Sequence, residues 1–234
     1  MTDPDSAATT GRPGGRSGNR WLTVGLSVVI AVGLLLAGGG LTVALGIGRT
    51  GPPASDSVEA GFARDMALHH RQAVEMANLA LLRTEDAEVR QLAFDISATQ
   101  TNQLGRMQGW LSLWDLPRTD GEVMAWMGGA MEHSMDHAGH DAAVADGAIM
   151  PGMATETELA ELRQLSGTAF DVRFLQLMTR HHQGGLEMAE YARDHATVPA
   201  VQRLAESIAA TQAAETTTME AMIRERGGTP LPAP

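Results

Sequence analysis

The chain has 234 residues, and its 17 basic against 28 acidic side chains leave a formal charge of −11, which argues against nucleic-acid binding and favours the attraction of cations. It contains no cysteine and no lysine, yet it has 14 methionines and only 4% aromatic residues. Disulfides and thiolate metal sites are therefore excluded, and one or two domains with a well-buried core fit the length.

Residues 1–20 are rich in Gly, Ser, Thr, Pro and Arg, the composition of a disordered tail. Residues 21–47 follow without a single charge, and about 20 apolar residues suffice to span a bilayer as a helix. Arg12, Arg16 and Arg20 precede this run and Arg49 alone follows closely. The positive-inside rule then puts the N-terminus in the cytoplasm and the rest outside. A cleaved signal peptide, leaving a secreted protein, is the rival reading, but its apolar region usually runs only about 7–15 residues. The length favours a retained single-pass membrane anchor. Residues 48–57 read as a linker, because Pro52-Pro53 cannot continue a helix.

From there to residue 228 the pattern is helical, with a short tail at 229–234. Helices are predicted over about 57–83 and 86–114, then 168–195 and 198–226, with Thr197 as an N-cap, Pro199 in the first turn and Gly227-Gly228 as a stop. The crossover at about 115–166 carries two capping-box patterns, Thr119-x-x-Glu122 and Thr155-x-x-Glu158, which predict two short helices around an irregular stretch. Four main helices in two equivalent hairpins with one long crossover describe an all-α, ferritin-like four-helix bundle.

The two hairpins are copies. Residues 62–107 laid on 174–219 without a gap give 16 identities in 46 positions. Met66-x-x-His69-His70 answers Met178-x-x-His181-His182, Met76 answers Met188, Gln100 answers Gln212, and Met107 answers Met219. On a helical wheel with Met66 at zero, His69 falls at roughly 300°, His70 at 40° and Met76 at 280°, so one face carries all four. Glu75 and Glu187 fall on the opposite side, where an interhelix ion pair or hydrogen bond is their expected role. Each half is thus expected to direct one Met-His-His-Met cluster, joined by a methionine from its second helix, toward the bundle interior.

A methionine stripe at helical spacing is often core filler, but two adjacent-histidine pairs repeated in register point to metal. Thioether sulfur suits Cu(I), and imidazole binds copper in either oxidation state. A di-iron bundle would require Glu-x-x-His motifs; here a thioether occupies the carboxylate position at both 66/69 and 178/181. The crossover adds Met131, His133, Met135, His137, His140, Met150 and Met153, a mixed His/Met tract suited to gathering metal ions. His195, alone near a helix end, is read as structural.

At these residues the chain resembles the bacterial family known as domain of unknown function 305, over about 58–226. The resemblance rests on Phe62, Met66-x-x-His69-His70 and Glu75-Met76-Ala77, then Met150-Pro-Gly-Met153 and Glu158-Leu159. It continues through Phe170-Asp171-x-x-Phe174-Leu175-x-x-Met178-x-x-His181-His182 and Glu187-Met188-Ala189. It implies a ferritin-like four-helix fold and copper binding outside the cytoplasmic membrane, since some similar proteins carry periplasmic copper on methionine and histidine. Gln72 and Ala73 become Gly184 and Gly185 in the second copy, so the two sites are expected to differ in shape.

The preferred expectation is a membrane-anchored extracytoplasmic protein that binds copper, as Cu(I) or Cu(II), for sequestration, resistance or delivery, and exchanges it with a donor or acceptor protein. No catalytic constellation is present, so no reaction is assigned. A structural or partner-binding helical module and a metal-dependent oxidoreductase are the alternatives. Assembly into a homo-oligomer is left open.

Overall fold

A computed structural model describes residues 20–44, 51–128 and 144–234, and it divides the chain into two compact units, Met1–Gly51 and Pro52–Pro234. In the first unit, α1 spans Arg20–Ala44. Its side chains are described at Trp21 and 24–38, where they are exposed. Among the described residues no helix is long and apolar enough to cross a membrane.

The second unit is helical, with no strand among the described residues. Helix α2 covers Val58–Arg83 and α3 covers Ala87–Leu113; α4 is the short Glu156–Gln164; α5 covers Gly167–His195 and α6 covers Pro199–Glu225. The starts follow local chemistry. Ser57 accepts from Ala60 N, and Asp86 accepts from Glu88 N and Val89 N, each satisfying donors that a helix leaves open. Thr155 and Glu158 complete a reciprocal capping box, as the sequence predicts.

Two expectations about helix starts are corrected. Thr119-x-x-Glu122 caps no α-helix; the segment forms only a 3-10 turn at Ala125–Met127. Gly121 and Met124 both take positive φ, +75° and +67°, which interrupts any right-handed helix. Asp65 on α2 accepts from Met124 N and Trp126 Nε1, both at 2.8 Å, and binds this loop to the bundle. The N-cap of α6 is Val198 rather than Thr197. The capping acceptor comes from the other hairpin: Glu59 Oε1 accepts from Thr197 N, Thr197 Oγ1 and Val198 N.

Helix α2 packs along α3, α5 packs along α6, and α2 also packs on α5. Each hairpin closes through a short loop, residues 84–86 or 196–198, which makes its two helices antiparallel. Buried side chains fall into two apolar clusters. One holds Phe62, Met66, Met107, Met127, Met150, Met153 and Met188; the other holds Met76, Phe170, Phe174, Met178, Met219 and Met222. Between them, on α2 and α5, sit the paired histidines.

Candidate metal centre

Helices α2 and α5 carry the repeated blocks to the same level. The rings of His69 and His181 lie 3.7 Å apart between centroids, inclined by 34°. All four repeated histidines are fully buried. The histidine contact therefore bridges the two halves, which corrects the expectation of one separate Met-His-His-Met cluster per half.

The methionines show why. Met66, three residues before His69, shares its cluster with Met188, seven residues after His181. Met76 shares the other with Met178. Along α2 from 66 to 76 the facing positions on α5 run from 188 down to 178, so the two helices are antiparallel. Each thioether cluster is thus assembled from both halves, with Met107 of α3 in the first and Met219 of α6 in the second. Met150 and Met153 are also buried in the first cluster. Met131, His133, Met135, His137 and His140 lie outside the described residues.

The hydrogen bonds around the rings leave specific nitrogens free. His69 Nε2 donates to Pro151 O at 3.2 Å, His70 Nε2 to Gln103 Oε1 at 2.7 Å, and His182 Nε2 to Glu215 Oε2 at 2.6 Å. A carbonyl or carboxylate oxygen only accepts, so each ring carries a proton on Nε2. All three Nδ1 atoms are buried without a partner, and His181 has neither nitrogen hydrogen-bonded. A buried unpaired polar atom ordinarily costs roughly 1–3 kcal/mol. A metal-ligating histidine has this arrangement, with one nitrogen anchored by an acceptor and the other left open. Gln100 and Gln212, the repeated amides of α3 and α6, are buried with both amide atoms unpartnered as well. A Cβ at Gly185 would lie 2.8 Å from Gln212 Oε1 and 3.1 Å from His69 Cε1. Glycine there lets an amide and an imidazole approach one point.

Burial disfavours the charged form of His69, His70 and His181. Desolvation is the main cause that pushes His69 down to about 3 and His70 down to about 4, from an ordinary 6.5. The same cause, with the neighbouring imidazoles of His69, His182 and His70 disfavouring a further positive charge, holds His181 well below 6.5.

A strap covers one side of the histidines. Gln72 Nε2 donates to Ala154 O, and Ala154 N donates to Gln72 Oε1. Pro151-Gly152 presses on α5 so closely that a Cβ at Gly184 would lie 2.1 Å from Pro151 O, and one at Gly152 would lie 2.4 Å from Arg180 O. Arg180 in turn pairs with Glu158, which also receives Arg173. The Gln72/Gly184 difference between the copies thus has a steric role: one half clamps the strap and the other makes room for it.

Glu75 takes the interhelix ion pair expected of it, with Arg163 at 2.5 Å and away from the rings, whereas Glu187 is exposed and shows none among the described residues. His195 is exposed at the end of α5, donating from Nδ1 to Tyr191 O and stacking on the Tyr191 ring at 4.0 Å. The anchoring partners Gln103 and Glu215 were not singled out from sequence, although they occupy equivalent positions 112 residues apart. Their register was the available signal. Among the described residues no three histidine or carboxylate side chains form a ready-made metal site. Buried thioethers lie in the apolar clusters on either side of the rings, and thioether is a soft ligand.

A family model described as "Domain of unknown function (DUF305)" matches residues 59–223. A DUF305 protein of Streptomyces coelicolor, described by inference as secreted, has a crystal structure similar to this one. It is 43% identical with a TM-score of 0.66, covering 76% of this chain and 99% of its own. A DUF305 fragment from Deinococcus radiodurans is 33% identical with a TM-score of 0.57, covering 74% and 99%. CopM in its Cu(I)-bound form shares the fold at 24% identity and a TM-score of 0.53, covering 74% and 99%. No curated protein matches the chain.

Proposed function

The chain belongs to the DUF305 family, and from that premise we propose that it is an extracytoplasmic copper-binding protein that holds the ion on histidine and methionine for sequestration, resistance or delivery. One observation carries the reading. Three buried imidazoles each have Nε2 committed to an acceptor and Nδ1 open, beside a fourth ring with no partner, between two clusters of buried methionine. Neutral imidazole and thioether are ligands for Cu(I), and imidazole also serves Cu(II). CopM, of the same fold, is described in Cu(I)-, Cu(II)- and silver-bound forms, which supports a soft-metal role here.

His69, His70, His181 and His182 are the core ligand candidates, with Met66, Met107 and Met188 on one side and Met76, Met178 and Met219 on the other. The four long helices suit a ferritin-like frame. The anchor reading rests on the charge-free run 21–47 and its preceding arginines. Copper exchange with a donor or acceptor protein completes the reading, and no reaction is assigned.

The test is titration of the full chain in detergent with Cu(I) and Cu(II) against chelators of graded affinity. Cu(I) binding that outcompetes a moderate chelator is expected. Failure against even a weak chelator overturns the proposal. Replacing the four histidines together by Gln is expected to abolish uptake while helicity persists; unchanged uptake would remove these histidines from the ligand set.

A further inference from the structure

The two histidine pairs are anchored by chemically different partners. His70 Nε2 meets the neutral amide of Gln103 on α3, whereas His182 Nε2 meets the carboxylate of Glu215 on α6. Positions 103 and 215 are equivalents in the 112-residue repeat, so one register position carries an amide in one half and a negative charge in the other. The remaining rings differ too: His69 is held by the strap carbonyl Pro151 O, while His181 is unpinned. The pseudo-twofold therefore relates two histidine pairs whose electrostatics are unlike.

A carboxylate that accepts the N–H of a ligating imidazole raises the electron donation of the opposite nitrogen and places negative charge one ring away from the ion. Cu(II) carries one more positive charge than Cu(I), so it gains more from that charge. A neutral amide anchors the ring with no such preference. Glu215 is also partly solvent-accessible, with an 18% exposed side chain, whereas Gln103 is buried; a neutral amide is the cheaper group to bury.

Resting on the copper reading above, we infer that Glu215 is a positioning residue that biases oxidation state: through His182 it favours Cu(II), while the Gln103–His70 pair adds no such bias.

The test compares the full-length wild type with Glu215→Gln, an isosteric change that keeps an acceptor for His182. Outer-sphere partners of ligating histidines are worth roughly 10–100-fold in affinity. Glu215→Gln is expected to weaken Cu(II) by about that factor and Cu(I) by less than about threefold. For a one-electron couple each tenfold difference raises the Cu(II)/Cu(I) potential by about 59 mV. The double exchange Glu215→Gln with Gln103→Glu should return the potential toward the wild-type value. In the metal-free protein, the ¹⁵N resonances of His182 should keep the Nε2–H tautomer in Glu215→Gln, so that the effect is not loss of anchoring. Equal weakening of both ions, or an unchanged potential with the wild type still binding both, overturns this inference alone. A wild type that binds neither ion overturns the copper reading and this inference with it.

Discussion

Desolvation sets the protonation of His69 and His70, whose folded values fall to about 3 and about 4 against 6.5 when exposed. Between those limits the unfolded chain binds more protons than the folded one, so stability rises with pH across that window. Stability is fully present above about pH 6.5 and is lost as the pH falls toward 4 and then 3. Denaturant midpoints of the metal-free protein are expected to drop steadily from pH 7 to pH 4, with Gln substituted at His69 or His70 giving a flatter profile. Copper saturation should raise the midpoint at every pH where it binds. The methionines admit a different test. Leu at Met66, Met107 or Met188 conserves volume and should cost less than about 1.5 kcal/mol. Cu(I) affinity, measured by chelator competition, should nonetheless fall, because the thioether is gone. A core role alone would leave Cu(I) affinity unchanged.

Segments 150–155 and 117–128 are held by a few specific contacts rather than by regular structure. Gly184→Ala would force a Cβ against Pro151 O, and overpacking of this kind costs about 1–3 kcal/mol. It should lift the strap from His69 and speed hydrogen exchange at Met153 and Ala154, read by mass spectrometry. Gln72→Ala removes both bonds to Ala154 and should produce the same exchange signature from the opposite side. The long helices were legible to within about a residue, because capping side chains and 3.6-residue periodicity act locally. The Thr119 pattern misled for an equally physical reason. A capping box offers a start, but Gly121 and Met124 take left-handed conformations, and Asp65, distant in sequence, claims the Met124 amide.

Across the molecule the two hairpins are joined where α2 meets α5, and Glu59 adds a second tie by capping α6 from the other half. Burial and hydrogen bonding push its carboxyl in opposite directions, and the bonds to Thr197 and Val198 prevail, leaving it below the usual range. Glu59→Ala is expected to cost about 1–2 kcal/mol, the loss of a helix cap, measured by thermal unfolding. The sequence by itself determined the helices, their shared 112-residue register and the inward face of each, because a side chain's direction about its own helix axis follows from local geometry. Only the tertiary structure decided that α2 and α5 run antiparallel, that Met66 gathers with Met188 and Met76 with Met178, and that His69 meets His181. The rotation and sliding of one helix on another are set by packing between residues more than a hundred positions apart, which periodicity along a single helix does not encode.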